Sequence, residues 1–498
     1  MGTPNANGEP RVSFWPRVRE FAVPASMIET ATARRLAGDW AGACAAAGID
    51  VDLNLRSLTR DHGREAAARV RDDLRALAPD LLRWHMPRIA PDGLLRPGVT
   101  LALARYGGTG RGRRQPLQLV VRTPPAWADA GQRISLALWD GGHGRGGGAP
   151  PDGPAPPHPH PRPSRRFRLD LHRHLWDAGR AGELRIRAGA GAGPDLAPRP
   201  RRGTAAAGGT AWRRAGSGAG PGLPGDGVPY GSLCAVDRWA DEASLLLRAE
   251  GRSRGAVVVR LGDRHRVLLE VSGDGDGHGA GGPRIVEWSG RRACPSPSLP
   301  VLPDAATWVL PDLELLRAGE IDAGRLHPLV ASALVPERSG TRSVRAAEGR
   351  GSARYVTCRG DRHRIGLVDG VLAPLDHAPD EIRREELLAA LTGTPLPCLQ
   401  AIDDAHRRPE CLPDVRERLS HGDIAGALAV VEGLLGPDAV LRAGALRDEL
   451  EAIARRRVAY GLFRAGLAGP RPGPVRYDER VPRRSGAHRA RPRHATFS

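Results

Sequence analysis

The sequence predicts a multi-domain α+β protein in which a helical N-terminal region is followed by short-strand β regions alternating with helical hairpins. Long Gly/Pro/Arg-rich linkers and a C-terminal tail are predicted to be disordered. Three observations carry this prediction. Residues 25–95 are rich in helix formers, with Val70, Leu74, Leu77 and Leu81 at helical spacing. Short apolar or alternating runs then follow, "GVTLALARY", "PLQLVVRT" and "QRISLALWD", separated by turn residues. Finally, the 64 Gly and 45 Pro are clustered instead of spread, and such clusters cannot bury enough apolar surface to fold.

A chain of 498 residues exceeds one ordinary domain. Hydrophobic residues make up 40% and aromatic residues only 4%, so the cores must be built mainly from Leu, Val, Ile and Ala. The element signals divide the chain into a loose N-terminus (1–24), a helical region (25–95) and a β-rich region (96–190) with a disordered insert near 140–165. A low-complexity linker (191–228) comes next. A β-hairpin with a helical hairpin is expected in 229–336, and a β-hairpin with an acidic helical region in 337–469. A basic disordered tail (470–498) follows.

The pentapeptide GDRHR occurs at Gly262–Arg266 and again at Gly360–Arg364, each time between runs rich in Val, Leu and Ile. Gly followed by Asp between such runs is a turn signal, so two β-hairpins are expected. A second recurrence places Gly38, Gly319 and Gly422 after a leucine-bearing helical stretch, with Asp39, Glu320 or Asp423 next. Glycine suits the left-handed end of one helix and the acid suits the first turn of another, so each reads as the corner of a helical hairpin. This corner resembles that of tetratricopeptide-type repeats over about a dozen residues. The period of about 34 residues and the aromatic and proline positions of those repeats are absent, so no family is assigned. A hairpin followed by a helical corner, present twice, is the expectation.

The candidate catalytic residues by type are Asp263 and His265 in the first pentapeptide, and Asp361 and His363 in the second. A histidine moves protons near neutral pH, a carboxylate can orient it, and the intervening arginine can grip a phosphate. Adjacent strand residues face opposite sides, so the trio converges only if the turn curls, and a solvated turn is the simpler reading. "GHGAGG" at Gly277–Gly282 fits a dinucleotide fingerprint in letters, but Pro283 and strand-like residues follow it where a helix must open. Asp274, Asp276 and His278 lack the glutamate of a calcium loop. His158 and His160 lie in a proline run, and His172 and His174 read as a solvated strand edge or helix face. The six cysteines contain no C-x-x-C pair; Cys398, His406 and Cys411 lie near one another in sequence but match no ligand spacing. No metal and no cofactor are expected.

There is no lysine, and all 74 basic residues are arginine. This excludes a Walker A loop, Schiff-base chemistry, a kinase strand lysine and a Ser-Lys dyad. Of the net charge of +18, the stretches 140–229 (14 Arg, 7 acids) and 470–498 (8 Arg, 2 acids) hold +7 and +6. Residues 369–460, with 17 acids and 11 Arg, are at −6. Positive charge is therefore expected in flexible connectors rather than on a folded basic face. The opening residues show no apolar signal core, Ala6 stands where myristoylation needs Ser or Thr, and no apolar run approaches membrane-spanning length. The expectation is a cytoplasmic, non-enzymatic adaptor that binds another protein and no membrane. The alternatives are a nucleic-acid-associated protein using the basic tail, and a hydrolase or nuclease using the Asp-Arg-His turns.

Overall fold

The computed structural model describes residues 2–3, 14–107, 116–140, 162–189, 233–261, 266–271, 284–289, 299–336 and 354–467. Its contacts divide the chain into two units. One comprises 1–123 with 134–343, and the other 124–133 with 344–498. The α+β class holds, and the sheets are small.

The first unit opens with helices α1 (Ala25–Leu36) and α2 (Trp40–Ala46), joined at a glycine corner. Gly48 turns the chain into strand β1 (Ile49–Asp52), then come α3 (Leu55–Ala76) and α4 (Pro79–His85). The periodic run of leucines is thus two helices, not one. Pro79 disfavours helical backbone at Ala78, and Leu77 is already extended. Strands β2 (Thr100–Tyr106), β3 (Leu117–Arg122) and β4 (Ile134–Trp139) match the three expected runs. They pair antiparallel, and β1 adds in parallel to β4, giving the order β1-β4-β3-β2. Residues 162–189 form 3-10 turns and a short helix instead of a further strand.

Helix α5 (Trp239–Ala249) precedes a second antiparallel sheet of β5 (Gly255–Arg260), β6 (Arg266–Val271) and β7 (Arg284–Ser289). Val257 and Val259 on β5 and Val267, Leu269 and Val271 on β6 pack with Leu246 and Leu247 of α5. Helices α6 (Pro311–Ala318) and α7 (Pro328–Leu334) follow. Their Leu313, Leu315 and Val330 join a core shared with the N-terminal helices and the first sheet. Phe14, Trp15, Val18 and Ala22 are buried in that core, which corrects the expectation of a loose stretch up to residue 24.

The second unit carries a three-stranded meander: β8 (Arg354–Cys358), β9 (Asp361–Val368) and β10 (Val371–Pro374). Both of its turns have two residues, Arg359–Gly360 and Asp369–Gly370, all four at positive φ as a type I′ hairpin requires. Five helices follow, α8 (Pro379–Thr392), α9 (Pro397–Arg407), α10 (Leu412–His421), α11 (Ile424–Leu435) and α12 (Ala445–Arg464). Ile365 and Leu372 from the sheet meet Ile402, Val415, Leu419, Val431, Leu435, Leu446 and Ile453 in its core.

Two of the three predicted corners are built alike. Gly38 and Gly422 are left-handed, at φ 78° and 89°. Asp39 and Asp423 then cap the next helix, accepting from the N–H of Gly42 (2.8 Å) and Gly426 (2.9 Å). Arg34 and Arg418, five residues before each acid, donate to its other carboxylate oxygen at 2.9 and 2.8 Å. At the third corner Gly319 is left-handed too, but the next turn starts only after Asp322. Glutamate at 320 is a poor capping residue because its longer side chain does not fold back onto the helix N–H groups.

Candidate functional site

The final arginines of the two pentapeptides, Arg266 and Arg364, take different positions in their strands. Gly262–His265, and with them Asp263 and His265, lie outside the described residues; Arg266 opens β6 opposite Arg260. In the second copy the turn is Arg359–Gly360, so Asp361 is already in β9 opposite Cys358 and Arg364 is its fourth residue. Asp361 and His363 share a face of β9 two residues apart, but His363 Nδ1 has no hydrogen-bond partner. Arg362 points the other way, over the Tyr355 ring at 4.7 Å. The second trio therefore does not converge.

Histidines and acids from separate segments do meet in the first unit, away from the pentapeptides. His172 Nε2 lies 3.0 Å from Glu242 on α5, which also takes two hydrogen bonds from Arg187. Burial pushes the Glu242 carboxyl up, but His172 and Arg187 outweigh it and hold that carboxyl well below the usual range. His327 Nε2 lies 2.8 Å from Asp80 on α4. Asp312 on α6 accepts from Trp84 Nε1 at 2.8 Å and faces Arg19 at 3.5 Å. His172 and His174 are buried rather than on a solvated edge. These groups sit in packed interior. The cavity beside His85, Phe167 and Arg168 holds about 10 Å³, room for a single water, so no substrate fits there.

Four arginines of 162–189 reach into this interior, while Arg162, Arg165 and Arg180 stay exposed. Arg166 pairs with Asp304 (2.6 Å), Arg168 with Asp170 (2.8 Å), Arg173 with Asp73 and Asp177, and Arg187 with Glu242. This corrects the placing of the whole 140–229 charge excess in flexible connectors. The motifs at His158 and His160 and at Gly277–Gly282, the carboxylates Asp274 and Asp276, and the basic tail 470–498 lie outside the described residues.

In the second unit, Cys358 at the end of β8, His377 just before α8 and Cys398 in the first turn of α9 bring one ligand atom each to within 4.8 Å of one another. Both cysteines are fully buried. His377 Nε2 is buried with no hydrogen-bond partner, while its Nδ1 lies 3.3 Å from Glu381. The His363 ring stacks on His377 with centroids 4.3 Å apart. Burial and the neighbouring Cys358 push the Cys398 thiol up to about 11. His406 and Cys411, the partners weighed from sequence for Cys398, are not in this group. Eight residues of helix, about 12 Å along the axis, separate Cys398 from His406.

Helix α8 is the least packed of the five. It has no buried residue, and Leu387, Leu388 and Leu391 stand 64%, 49% and 85% exposed on one face. Its first two turns are tied to the sheet by Arg359, which donates to Glu381 and Glu385. Among the described residues no helix is long and apolar enough to cross a membrane. Comparison of the chain with protein-family models, with curated proteins and with solved structures finds no match.

Proposed function

We propose that the protein acts in the cytoplasm by binding another protein, without turnover, and that α8 of the second unit is the docking element. The observation that carries this reading is the row Leu387, Leu388 and Leu391, left uncovered on a helix that buries nothing. Burying a leucine side chain fully is worth about 1.5–3 kcal/mol, so three adjacent leucines form a strong anchor for a complementary groove or helix. The stretch 369–460 carries 17 acids against 11 arginines, which favours a partner helix that is apolar on one face and basic on its flanks.

The test uses the full chain and a Leu387→Glu/Leu391→Glu variant as baits in nuclease-treated lysate of the native cell, with cross-linking and mass spectrometry. The expected result is a protein cross-linked to residues 379–392 of the wild type and absent from the variant, whose melting is unchanged. Capture of the same proteins by both baits, capture that disappears with nuclease, or self-association through this face in sedimentation would each overturn the proposal.

A further inference from the structure

We propose that Cys358, His377 and Cys398 form a binding site for a thiophilic divalent cation of the zinc class. The three ligands come from three separate segments and are gathered only by the fold, within 4.8 Å. Two sulfurs and an imidazole nitrogen are a borderline-soft donor set that suits zinc and rejects magnesium and calcium, which take oxygen.

Two further features favour a cation over plain packing. Thiols alone pack as small apolar groups, but a buried imidazole nitrogen with no partner is costly. His377 Nε2 is such an atom, on a side chain only 4% exposed. Its other nitrogen faces the Glu381 carboxylate, which Arg359 holds at 3.2 Å. A carboxylate on the far side of an imidazole fixes the ring and its tautomer with Nε2 free to ligate, the usual second layer of a zinc-bound histidine. His363, stacked on His377 with its Nδ1 buried and unpartnered, places a second imidazole nitrogen, a fourth donor, beside the trio.

Binding would convert two thiols to thiolates. Two sulfur–metal bonds form, two S–H bonds break and two protons pass to solvent, with no change of oxidation state. The dication supplies the positive charge that the buried Cys398 thiol otherwise lacks. The site is independent of the docking role proposed for α8.

The experiment is a cobalt(II) titration of the reduced full-length chain, stripped with chelator and then freed of it. One equivalent should produce thiolate-to-cobalt charge-transfer absorption with four-coordinate d–d bands, and equimolar zinc should erase both. Cys358→Ser or Cys398→Ser should remove about half the charge-transfer intensity, and the double variant all of it. His406→Ala and Cys411→Ser should leave it intact. Glu381→Gln should weaken binding about tenfold while the bands keep their shape. Absence of stoichiometric charge transfer in the wild type overturns the proposal whatever the variants do. So does a band that survives the double replacement, or the isolation of Cys358 and Cys398 from cells as a mutual disulfide.

Discussion

His85 Nε2 lies 3.8 Å from Asp312 Oδ2, both side chains sealed from solvent, and neither ring nitrogen of His85 has a hydrogen-bond partner. Asp312 is instead committed to the Trp84 N–H and to Arg19, whose guanidinium stacks 4.0 Å over the Trp84 ring. Its carboxylate therefore joins α4, α6 and the helical segment Val18–Ala22 that carries Arg19 inside one core. Asp312→Ala would strand a buried guanidinium and a buried indole N–H, a class of change that costs about 3–5 kcal/mol. Trp127 is the one tryptophan in 124–133 and 344–498, so tryptophan fluorescence in a urea titration follows mainly the first unit. An unshifted midpoint in Asp312→Ala would show that the network contributes nothing.

His174 sets a pH dependence. Burial, and after it the neighbouring His172 and Arg187, hold its imidazole well below the ordinary range. The unfolded chain takes up a proton at His174 below about pH 6.5 that the folded chain refuses. Stability is therefore full above that pH and falls below it, by up to about 1.4 kcal/mol per pH unit. Glu242 adds loss only below the ordinary glutamate value near 4.3. Asp312, pushed up by burial against Arg19 and Trp84, works in the opposite sense. The measurement is thus the difference between wild type and His174→Phe in urea midpoints from pH 7.5 to 5. The variant should lose about one proton's worth of slope, and parallel curves would refute the assignment.

What the letters disclosed follows from which interactions are local. The strands Thr100–Tyr106, Leu117–Arg122 and Ile134–Trp139 announce themselves through alternation. Ile49–Asp52 alternates as well, but four residues inside helix-rich sequence are too few to stand out from it. Residues 162–189 have no period to read, because 3-10 turns repeat too briefly to leave one. The arginines there looked like connector charge, and only their distant acids, such as Asp304 for Arg166, reveal them as interior. Short ligand spacings are what a metal motif search detects. Cys358, His377 and Cys398 have none, since a hairpin and a helix start bring them together.

The paired corners make a second stability prediction. Asp423→Ala removes a cap and one of the two carboxylates that hold Arg418, and should cost the second unit about 1 kcal/mol. Gly426→Ala should cost a similar amount while keeping the carboxylate in the chain, because a Cβ there would run into the Asp423 carboxylate and displace it from its capping position. The same clash awaits Gly42→Ala against Asp39, which explains why a glycine stands three residues after the acid at both corners. Helicity-monitored urea unfolding of the full chain gives the comparison; Gly426→Ala as stable as wild type would show that the cap yields freely.

Hydrogen exchange connects the cation to the helix beside it. Surface ion pairs like those of Arg359 with Glu381 and Glu385 are worth about 0–1 kcal/mol, and α8 buries no side chain to add to them. Its amides should therefore exchange through local opening well before the core helices α10 and α11. His377 lies immediately before α8, and Cys398 opens α9. A cation gripping both would fix the start of each helix, and zinc at 100 times its dissociation constant would resist any opening that releases it by about 2.7 kcal/mol. Zinc should slow exchange in 354–358 and in the first turns of α8 and α9, while 445–464 stays unchanged. Slowing spread evenly over the unit, or none, would mean that the cation does not act through these residues. The Leu387–Leu391 end of α8 should gain least, because nothing in the site reaches past Glu385.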